Sequence, residues 1–304
     1  MSKKMVSLLL AVLMLCTAAV SLGEDTAVTV TDMYGREITL TEPATRIVAM
    51  QPSDCEILCA IGCEDALVGR GQFCDYPPSV LELPEVQSGA NTNIEEILAL
   101  NPQVVLMNDM AADETQVKAL EDNGVKVVVS QATDIEGAYY AIRMIGTLMG
   151  RDAEAEALVA DMQKTFDEIR ANSKAEGKSV YFEISPLQWG LWSAGKNSFM
   201  NELAEICGLT NIFADQEDAW LAISEEQVIE RNPDYIVSIA GMGDTAVEEI
   251  LGREGWGVIT AVQNKQVFNA DSNAIARPGP RLKDAAIELY NFINGIEAEE
   301  APAA

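Results

Sequence analysis

One fifteen-residue pattern occurs twice in this chain and constrains the fold more than any other feature. Residues 92–106 read TNIEEILALNPQVVL, and residues 223–237 read ISEEQVIERNPDYIV. An offset of 131 residues aligns the two Asn-Pro pairs and places Glu95 opposite Glu226. A repeat of this length predicts two halves that fold in the same way.

Each copy of the pattern predicts a short helix followed by a buried strand. Asn93 and Ser224 are residues typical of helix N-caps, and the carboxylates behind them favour the positive end of the helix dipole. Each helix is expected to end at the Asn-Pro pair, because the residue before proline disfavours the α conformation. The apolar segments VVLM and YIVS that follow are typical of buried strands.

Other features recur in the same order and extend the repeat to both halves. The strand segment SVYFEIS precedes Pro186 as RIVAM precedes Pro52, and predicted helices end at Gly62 and at Gly208. Strands that alternate with helices through short loops are typical of a mainly parallel sheet. The predicted fold class is therefore α/β, with two Rossmann-like lobes joined by one long helix and a ligand cleft between the lobes.

The segment that joins the predicted halves lacks proline from residue 134 to residue 172, and its composition favours one long helix or two abutting ones. The resulting organisation comprises a signal peptide at 1–23, an N-terminal α/β lobe with a leading β-hairpin at 24–133, a linker helix at 134–172, a C-terminal α/β lobe at 173–295 and a disordered acidic tail at 296–304.

The N-terminus predicts export. MSKK precedes an apolar run from Met5 to Leu15, which fits a signal peptide and is too short to span a bilayer. Cys16 lies in a segment similar to a lipoprotein cleavage box, whereas ordinary cleavage would follow Ser21 or Gly23. The predicted location is the periplasm or the extracellular face of the cytoplasmic membrane, with a lipid anchor at Cys16 as one of the two alternatives.

Charge and residue usage exclude several function classes. The chain has 48 acidic and 20 basic side chains and a net charge of −28, which repels nucleic acid and suits a basic docking partner. It contains no histidine, so Ser-His and Cys-His dyads and histidine-based metal sites are excluded. We therefore expect a monomeric protein without catalytic residues that is not an enzyme.

Six cysteines are present, and Cys55, Cys59 and Cys63 fall on one stripe of a predicted helix. This spacing predicts buried, small apolar side chains, with a thiolate metal site as the alternative. Without Cys16 the number of cysteines is odd, which argues against a complete disulfide framework. No metal site is assigned.

Ligands of open α/β sheets bind beyond the carboxyl ends of the strands, and aromatic side chains are concentrated in the predicted loops there. Clustered indoles in loops indicate a large, flat, partly apolar ligand, or else they only cover the lobe surface. The candidate cleft residues are Gln51, Cys55, Arg70, Tyr76, Trp189, Trp192, Trp220 and Arg277.

The segment Gly190–Lys196 offers a different function, because it matches the phosphate-binding pattern G-x4-G-K. Asn197 stands where that pattern requires Ser or Thr for magnesium, and Trp192 crowds the loop. An exported nucleotide-binding hydrolase is the alternative function.

Taken together, the motifs resemble the class III substrate-binding proteins of ABC importers, the iron–siderophore, haem and vitamin B12 group. The resemblance runs from Arg46 to Phe292 and rests on RIVAMQPSDCEILCAIG, CDYPP, the two copies of the repeat, SAGKNSFMNELAEICGLTNIF and RPGPR.

The resemblance implies a function and a partner. Glu95 and Glu226 match the glutamates that dock onto arginines of the two permease subunits, and a single long helix from Ile135 to about Asn172 would limit hinge motion. The transported ligand would be a ferric siderophore or related iron complex, or cobalamin, with no intrinsic cofactor. The lack of histidine disfavours haem, although Tyr76 keeps it open, and the sequence slightly favours an iron complex over a corrinoid.

Overall fold

The computed structural model describes residues 27–89, 92–108, 113–241 and 243–296. The predicted signal peptide at 1–23, with Cys16, and the predicted tail beyond Ile296 lie outside these residues. Among the described helices, none has the length and apolarity needed to cross a membrane.

The N-terminal lobe contains a five-stranded parallel sheet with strand order β5-β4-β3-β6-β7, preceded by the antiparallel hairpin β1-β2. The hairpin turns at Tyr34-Gly35, as predicted, and Gly35 has a positive φ of 75°. The elements are β1 (Val28–Thr31), β2 (Glu37–Leu40), β3 (Ile47–Ala49), α1 (Pro52–Ala60), β4 (Leu67–Gly71), β5 (Glu85–Val86), α2 (Ile94–Ala99), β6 (Val104–Met107), α3 (Glu114–Glu121) and β7 (Lys126–Val129).

The linker consists of two helices, α4 (Ile135–Leu148) and α5 (Asp152–Asn172), so the composition's alternative of two abutting helices is the one observed, rather than the single long helix that the resemblance implied. Gly150 adopts a positive φ of 64°, a conformation that ends a helix. The two helices then pack tightly, because a Cβ atom at Gly146 would lie only 2.4 Å from the Cβ atom of Ala155. Helix α4 packs on the N-terminal lobe, and α5 packs on α4 and on the helices that follow it.

The C-terminal lobe contains a four-stranded parallel sheet with strand order β10-β8-β12-β13 and a separate antiparallel pair, β9-β11. Its elements are β8 (Lys178–Glu183), β9 (Trp192–Ala194), α6 (Phe199–Ile206), β10 (Leu209–Asn211), β11 (Trp220–Ala222), α7 (Glu225–Arg231), β12 (Tyr235–Ser238), α8 (Ala246–Leu251), α9 (Thr260–Gln263), β13 (Val267–Asn269), α10 (Ser272–Ile275) and α11 (Leu282–Asn294).

The structure confirms the internal repeat. The order β4-β3-β6-β7 in the first lobe corresponds to β10-β8-β12-β13 in the second. Strands β6 and β12 begin at Val104 and Tyr235, which preserves the offset of the sequence pattern. Asn101 and Asn232 both adopt the left-handed conformation, with φ of 49° and 46°. The α/β class with two lobes is therefore confirmed.

The apolar core continues from one lobe to the other through the linker. A single cluster of buried side chains contains Ile47 of β3, Ile142 of α4, Phe166 of α5 and Phe182 of β8. A shared core of this kind resists large rotations of the lobes, because interiors are close-packed.

Candidate ligand-binding site

The edge at which the parallel strands end is the expected ligand-binding side of each lobe. Helix α2 leads through a short turn into β6, and α7 leads in the same way into β12. Each helix therefore begins at the side of the sheet where its strand ends. The helix starts of the repeat thus lie at equivalent places on the two lobes.

Glu95 and Glu226 are both exposed, and each is the second residue of its helix. The side chains of Asn93 and Ser224 cap the two helices, as predicted. The backbone N–H of Glu226 and the Ser224 hydroxyl hold the pKa of the Glu226 carboxyl below its usual value. Both carboxyl groups are therefore exposed to solvent at the starts of their helices.

Glu225, the neighbour of Glu226, has a different environment. Its carboxylate accepts a hydrogen bond of 2.8 Å from the indole N–H of Trp256, a fully buried side chain. Glu225 therefore stabilises the lobe, and Glu226 is the carboxylate of this helix start that a partner can reach.

Three exposed tryptophans lie in the segments that follow β8 and β10 of the C-terminal lobe, and we name them the tryptophan platform (Trp189, Trp192 and Trp220). The register of β9 with β11 places Trp192 and Trp220 on the same face of the strand pair. Their side chains are 44% and 42% exposed, and Trp189 in the preceding loop is 75% exposed. Phe199 packs edge-on against Trp220, with ring centroids 5.5 Å apart. Phe199 thus holds Trp220 in place, and the three indoles remain accessible to solvent.

Gln51 and Tyr76 lie on the opposite lobe. The Gln51 side-chain amide donates a 2.6 Å hydrogen bond to the Ser130 carbonyl, which joins the loops after β3 and β7. Tyr76 is 44% exposed, and the Arg281 guanidinium of the C-terminal lobe lies 4.2 Å above its ring centroid. The predicted cleft residues Gln51 and Tyr76 therefore lie at the strand-end side of the N-terminal lobe.

The two predicted cleft arginines, Arg70 and Arg277, do not present free charges. Arg70 is buried and its guanidinium lies 3.1 Å from Glu85. Arg277 lies 2.6 Å from Asp75 and 3.0 Å from Glu56. Because each guanidinium is paired with protein carboxylates, neither is available to an anionic ligand without loss of those pairs.

Cys55 is fully buried, so its predicted place in the cleft lining is also wrong. It lies on the core side of α1 between Cys59 and Cys74. A hydrogen bond with Cys59 lowers the pKa of the Cys55 thiol, whereas a hydrogen bond with Cys74 and burial raise it by a larger amount. The net shift is upward. The five cysteines of the described chain are free thiols, and no metal-binding group of three or more Cys, Asp or Glu side chains occurs among the described residues.

The segment Gly190–Lys196 does not form a phosphate-binding loop. Its centre is strand β9, and the N–H groups of Gly195 and Lys196 donate hydrogen bonds of 3.0 Å and 2.8 Å to carbonyls of the segment 216–219. The Lys196 ammonium is paired with Glu217 at 2.8 Å. The groups that would hold phosphate are already bonded within the protein, which contradicts the nucleotide-binding alternative.

Two candidate functional residues, Glu56 and Asp75, were not predicted from the sequence. They pair with the arginines of the RPGPR segment. Glu56 is buried on α1 beside apolar residues. A charged residue on the apolar side of a predicted helix requires a partner, and that was the available signal. The partners lie more than 200 positions away, so their identity could not be predicted from one sequence.

The sequence of this chain is similar to those of known binding proteins. Residues 47–274 match the periplasmic binding protein family. An uncharacterised ABC transporter substrate-binding lipoprotein of Bacillus subtilis, YvrC, is 34% identical over 273 residues, which cover 88% of this chain and 85% of that protein. The vitamin B12-binding protein of Salmonella typhi is 28% identical, over 83% of this chain and 91% of that protein.

A solved structure has the same architecture. The crystal structure of a possible iron-binding, periplasmic solute-binding protein from Staphylococcus epidermidis superimposes with a TM-score of 0.71 and 30% identity, over 83% of this chain and 99% of that one. The chain therefore belongs to the periplasmic binding protein family, which confirms the class III resemblance of its motifs.

Proposed function

We propose that this protein is the receptor of an ABC importer and that its ligand is a corrinoid such as cobalamin. The tryptophan platform carries this proposal. Three exposed indoles supply a broad apolar surface for a large ring system, and aromatic side chains keep such a surface at little entropic cost.

The state of the arginines favours a corrinoid over an anionic iron chelate. Arg70 and Arg277 are both paired with carboxylates, and so is Arg281, which lies 2.8 Å from Glu56. A ferric siderophore that carries negative charge would lack a free cation at these positions. The relative from Salmonella typhi is named for vitamin B12, and the neighbour from Staphylococcus epidermidis is described as possibly iron-binding, so both ligand classes belong in the test.

The experiment is a titration of the purified protein with cyanocobalamin, haemin and a panel of ferric siderophores. Quenching of tryptophan fluorescence and calorimetry are measured in parallel. We expect saturable binding of cyanocobalamin with quenching of the platform indoles. Binding of a ferric siderophore with cobalamin inert would reject the corrinoid and retain the receptor function, whereas binding of none of these ligands would count against both.

We infer that Glu95 and Glu226 dock the receptor onto basic surfaces of the permease dimer. Their exposure and their equivalent places on the two lobes support this assignment. The Glu95→Arg, Glu226→Arg double variant is expected to lose ligand uptake in cells or in proteoliposomes and to keep the ligand affinity of the wild type.

A matched control reverses the charge of one exposed carboxylate on each lobe away from the helix starts, namely Glu37→Arg with Glu176→Arg. Uptake should persist in this control, because close, oriented charge pairs rather than net charge determine docking. Equal loss of uptake in both double variants would show that net charge alone is responsible, and loss of ligand binding in the first would remove the docking role.

Delivery to a membrane permease requires export, for which residues 1–23 provide the predicted signal peptide. Lipidation at Cys16 and cleavage after Ser21 or Gly23 yield mature N-termini of different mass. Mass spectrometry of the protein from membrane and soluble fractions distinguishes them. We also propose that the receptor acts as a monomer, which light scattering of the mature chain tests.

A further inference from the structure

A group of charged side chains joins the two lobes at the α1 side of the cleft. It consists of Glu56 and Asp75 from the N-terminal lobe and Arg277 and Arg281 from the C-terminal lobe. We name these four residues the interlobe latch. The paired residues are separated by about 200 positions in the chain, so each ion pair links one lobe directly to the other.

The geometry centres on Glu56, whose side chain is only 2% exposed. One of its oxygens lies 3.0 Å from Arg277 and 2.8 Å from Arg281, and the other accepts a 3.0 Å hydrogen bond from Arg281. Arg281 thus binds Glu56 through two parallel hydrogen bonds, the strongest arrangement for this pair. One buried carboxylate therefore holds two guanidinium groups of the opposite lobe.

The outer part of the latch adds a second layer of contacts. Arg277 lies 2.6 Å from Asp75, whose pKa the Arg277 guanidinium holds below its usual value, and it also donates to the Phe73 carbonyl at 3.3 Å. The central carbon of the Arg281 guanidinium lies over the Tyr76 ring, 4.2 Å from its centroid. The whole segment from Phe73 to Tyr76 is therefore attached to the C-terminal lobe.

The latch lies beside the linker, because Lys283, two residues after Arg281, pairs with Asp161 of α5 at 2.6 Å. On the linker side, the lobes share the apolar core through α4 and α5, and the Glu202 carboxylate accepts a 2.7 Å hydrogen bond from the Ile135 N–H at the start of α4. At the strand-end side, the contacts of the RPGPR segment with α1 and with the Phe73–Tyr76 segment close the space between the lobes. The lobes are thus held together both by apolar packing and by charged pairs.

We propose that the interlobe latch fixes the width of the ligand cleft in the ligand-free protein. Without the latch, only the linker and the shared apolar core would limit separation of the lobes at the strand-end side. The latch opposes this, because separation would leave the buried Glu56 and the two guanidinium groups without partners, which is strongly unfavourable. The receptor therefore presents a preformed cleft.

The experiment is hydrogen–deuterium exchange on the ligand-free protein, followed by mass spectrometry of the peptides that cover 72–77 and 271–281. The test variant is Glu56→Gln, which keeps the size of the side chain and removes its charge. The control is Asp65→Asn, which removes the same charge from an exposed position close to α1. A milder second variant, Asp75→Asn, removes only the outer pair and covers the case in which Glu56→Gln fails to fold.

In Glu56→Gln we expect exchange in both segments to accelerate roughly tenfold or more, since breaking a buried ion pair favours local opening. Exchange in β8 and β12 should stay as in the wild type, and Asp65→Asn should change neither segment. Asp75→Asn should accelerate the same segments to a smaller extent.

Two results would overturn the proposal. One is unchanged exchange of both segments in Glu56→Gln and in Asp75→Asn. The other is an acceleration spread evenly over both lobes, which would indicate a general loss of stability rather than the opening of a latch. The measurement needs no ligand, so its outcome is independent of the corrinoid assignment.

Discussion

Truncation of the tryptophan platform is the sharpest test of how this receptor holds its ligand. Trp192→Ala and Trp220→Ala each remove an indole that is less than half exposed, from the same face of one strand pair. If the ligand covers this face, each variant loses apolar contact area that the wild type buries on binding.

The magnitude follows from the exposed area. A tryptophan side chain has roughly 250 Å² of surface, of which 44% is exposed at Trp192 and 42% at Trp220, so about 100 Å² of each indole is available to the ligand. At about 25 cal/mol per Å², complete coverage contributes about 2.5 kcal/mol, and half coverage about 1.3 kcal/mol. Each single variant should therefore bind its ligand about tenfold to sixtyfold more weakly, since about 1.4 kcal/mol corresponds to a factor of ten.

The assay is calorimetric titration of cyanocobalamin into the wild type and each variant, with melting temperatures measured alongside. Tyr34→Ala is the matched control, because it removes an exposed aromatic ring from the turn of the β1-β2 hairpin. Trp220→Ala should also lower the melting temperature slightly, because it removes the edge-on contact with Phe199. Affinities within twofold of the wild type in both platform variants, or an equal loss in Tyr34→Ala, would refute the reasoning.

Three further predictions concern buried groups. Arg253→Met should lower the free energy of unfolding by about 3–5 kcal/mol, because it leaves Glu183 buried without its bidentate partner, and adding Glu183→Gln should recover part of that loss in urea unfolding; a double variant no more stable than Arg253→Met would contradict this. Burial raises the pKa of Asp54 to about 7, with smaller opposing effects of Ser130 and Gln51, so the folded state retains a proton that the unfolded state has lost between about pH 4 and 7. The free energy of unfolding should therefore fall as pH rises through this range. Asp54→Asn should raise it by up to about 4 kcal/mol at pH 8, and thermal melts should show that this gain shrinks towards pH 4. A pH-independent effect of Asp54→Asn would contradict the assignment. Burial also raises the pKa of Cys207 to about 12, so iodoacetamide should not modify this thiol at pH 8 until the chain unfolds, as peptide mass mapping would show; rapid modification of the native chain would exclude the buried thiol.

The parts of the fold that local chemistry determines were predictable from the sequence. The N-caps Asn93 and Ser224 and the Asn-Pro pairs that follow them define helix starts and ends through short-range effects, so the repeat and its offset were recovered. In the linker, local chemistry left two alternatives open, one long helix or two abutting ones. The positive φ of Gly150 separates the two helices, and the close packing of Gly146 against Ala155 is a tertiary contact that composition does not reveal.

The candidate site was only partly predictable, and the division follows the range of the interactions. Aromatic residues in predicted loops, such as Trp192 and Trp220, are unusual by themselves, so their place at the surface could be inferred locally, although both belong to the strand pair β9-β11. The role of an arginine depends on what faces it. Arg277 has the same sequence signal whether it meets a ligand or Asp75, and only the folded chain brings that carboxylate to within 2.6 Å of it.

The pairing of Arg277 and Arg281 also bears on which ligands the cleft can accept. An anionic chelate that sought these guanidinium groups would have to displace Glu56, and the displaced carboxylate would remain in a position where its side chain is 2% exposed. The favourable charge interaction with the ligand would then be offset by an unpaired buried charge and by loss of the interlobe contacts. A largely neutral ligand that binds through the indoles leaves these pairs intact. The latch and the platform therefore favour the same class of ligand, because the charges that hold the lobes together are the charges that an anionic ligand would need.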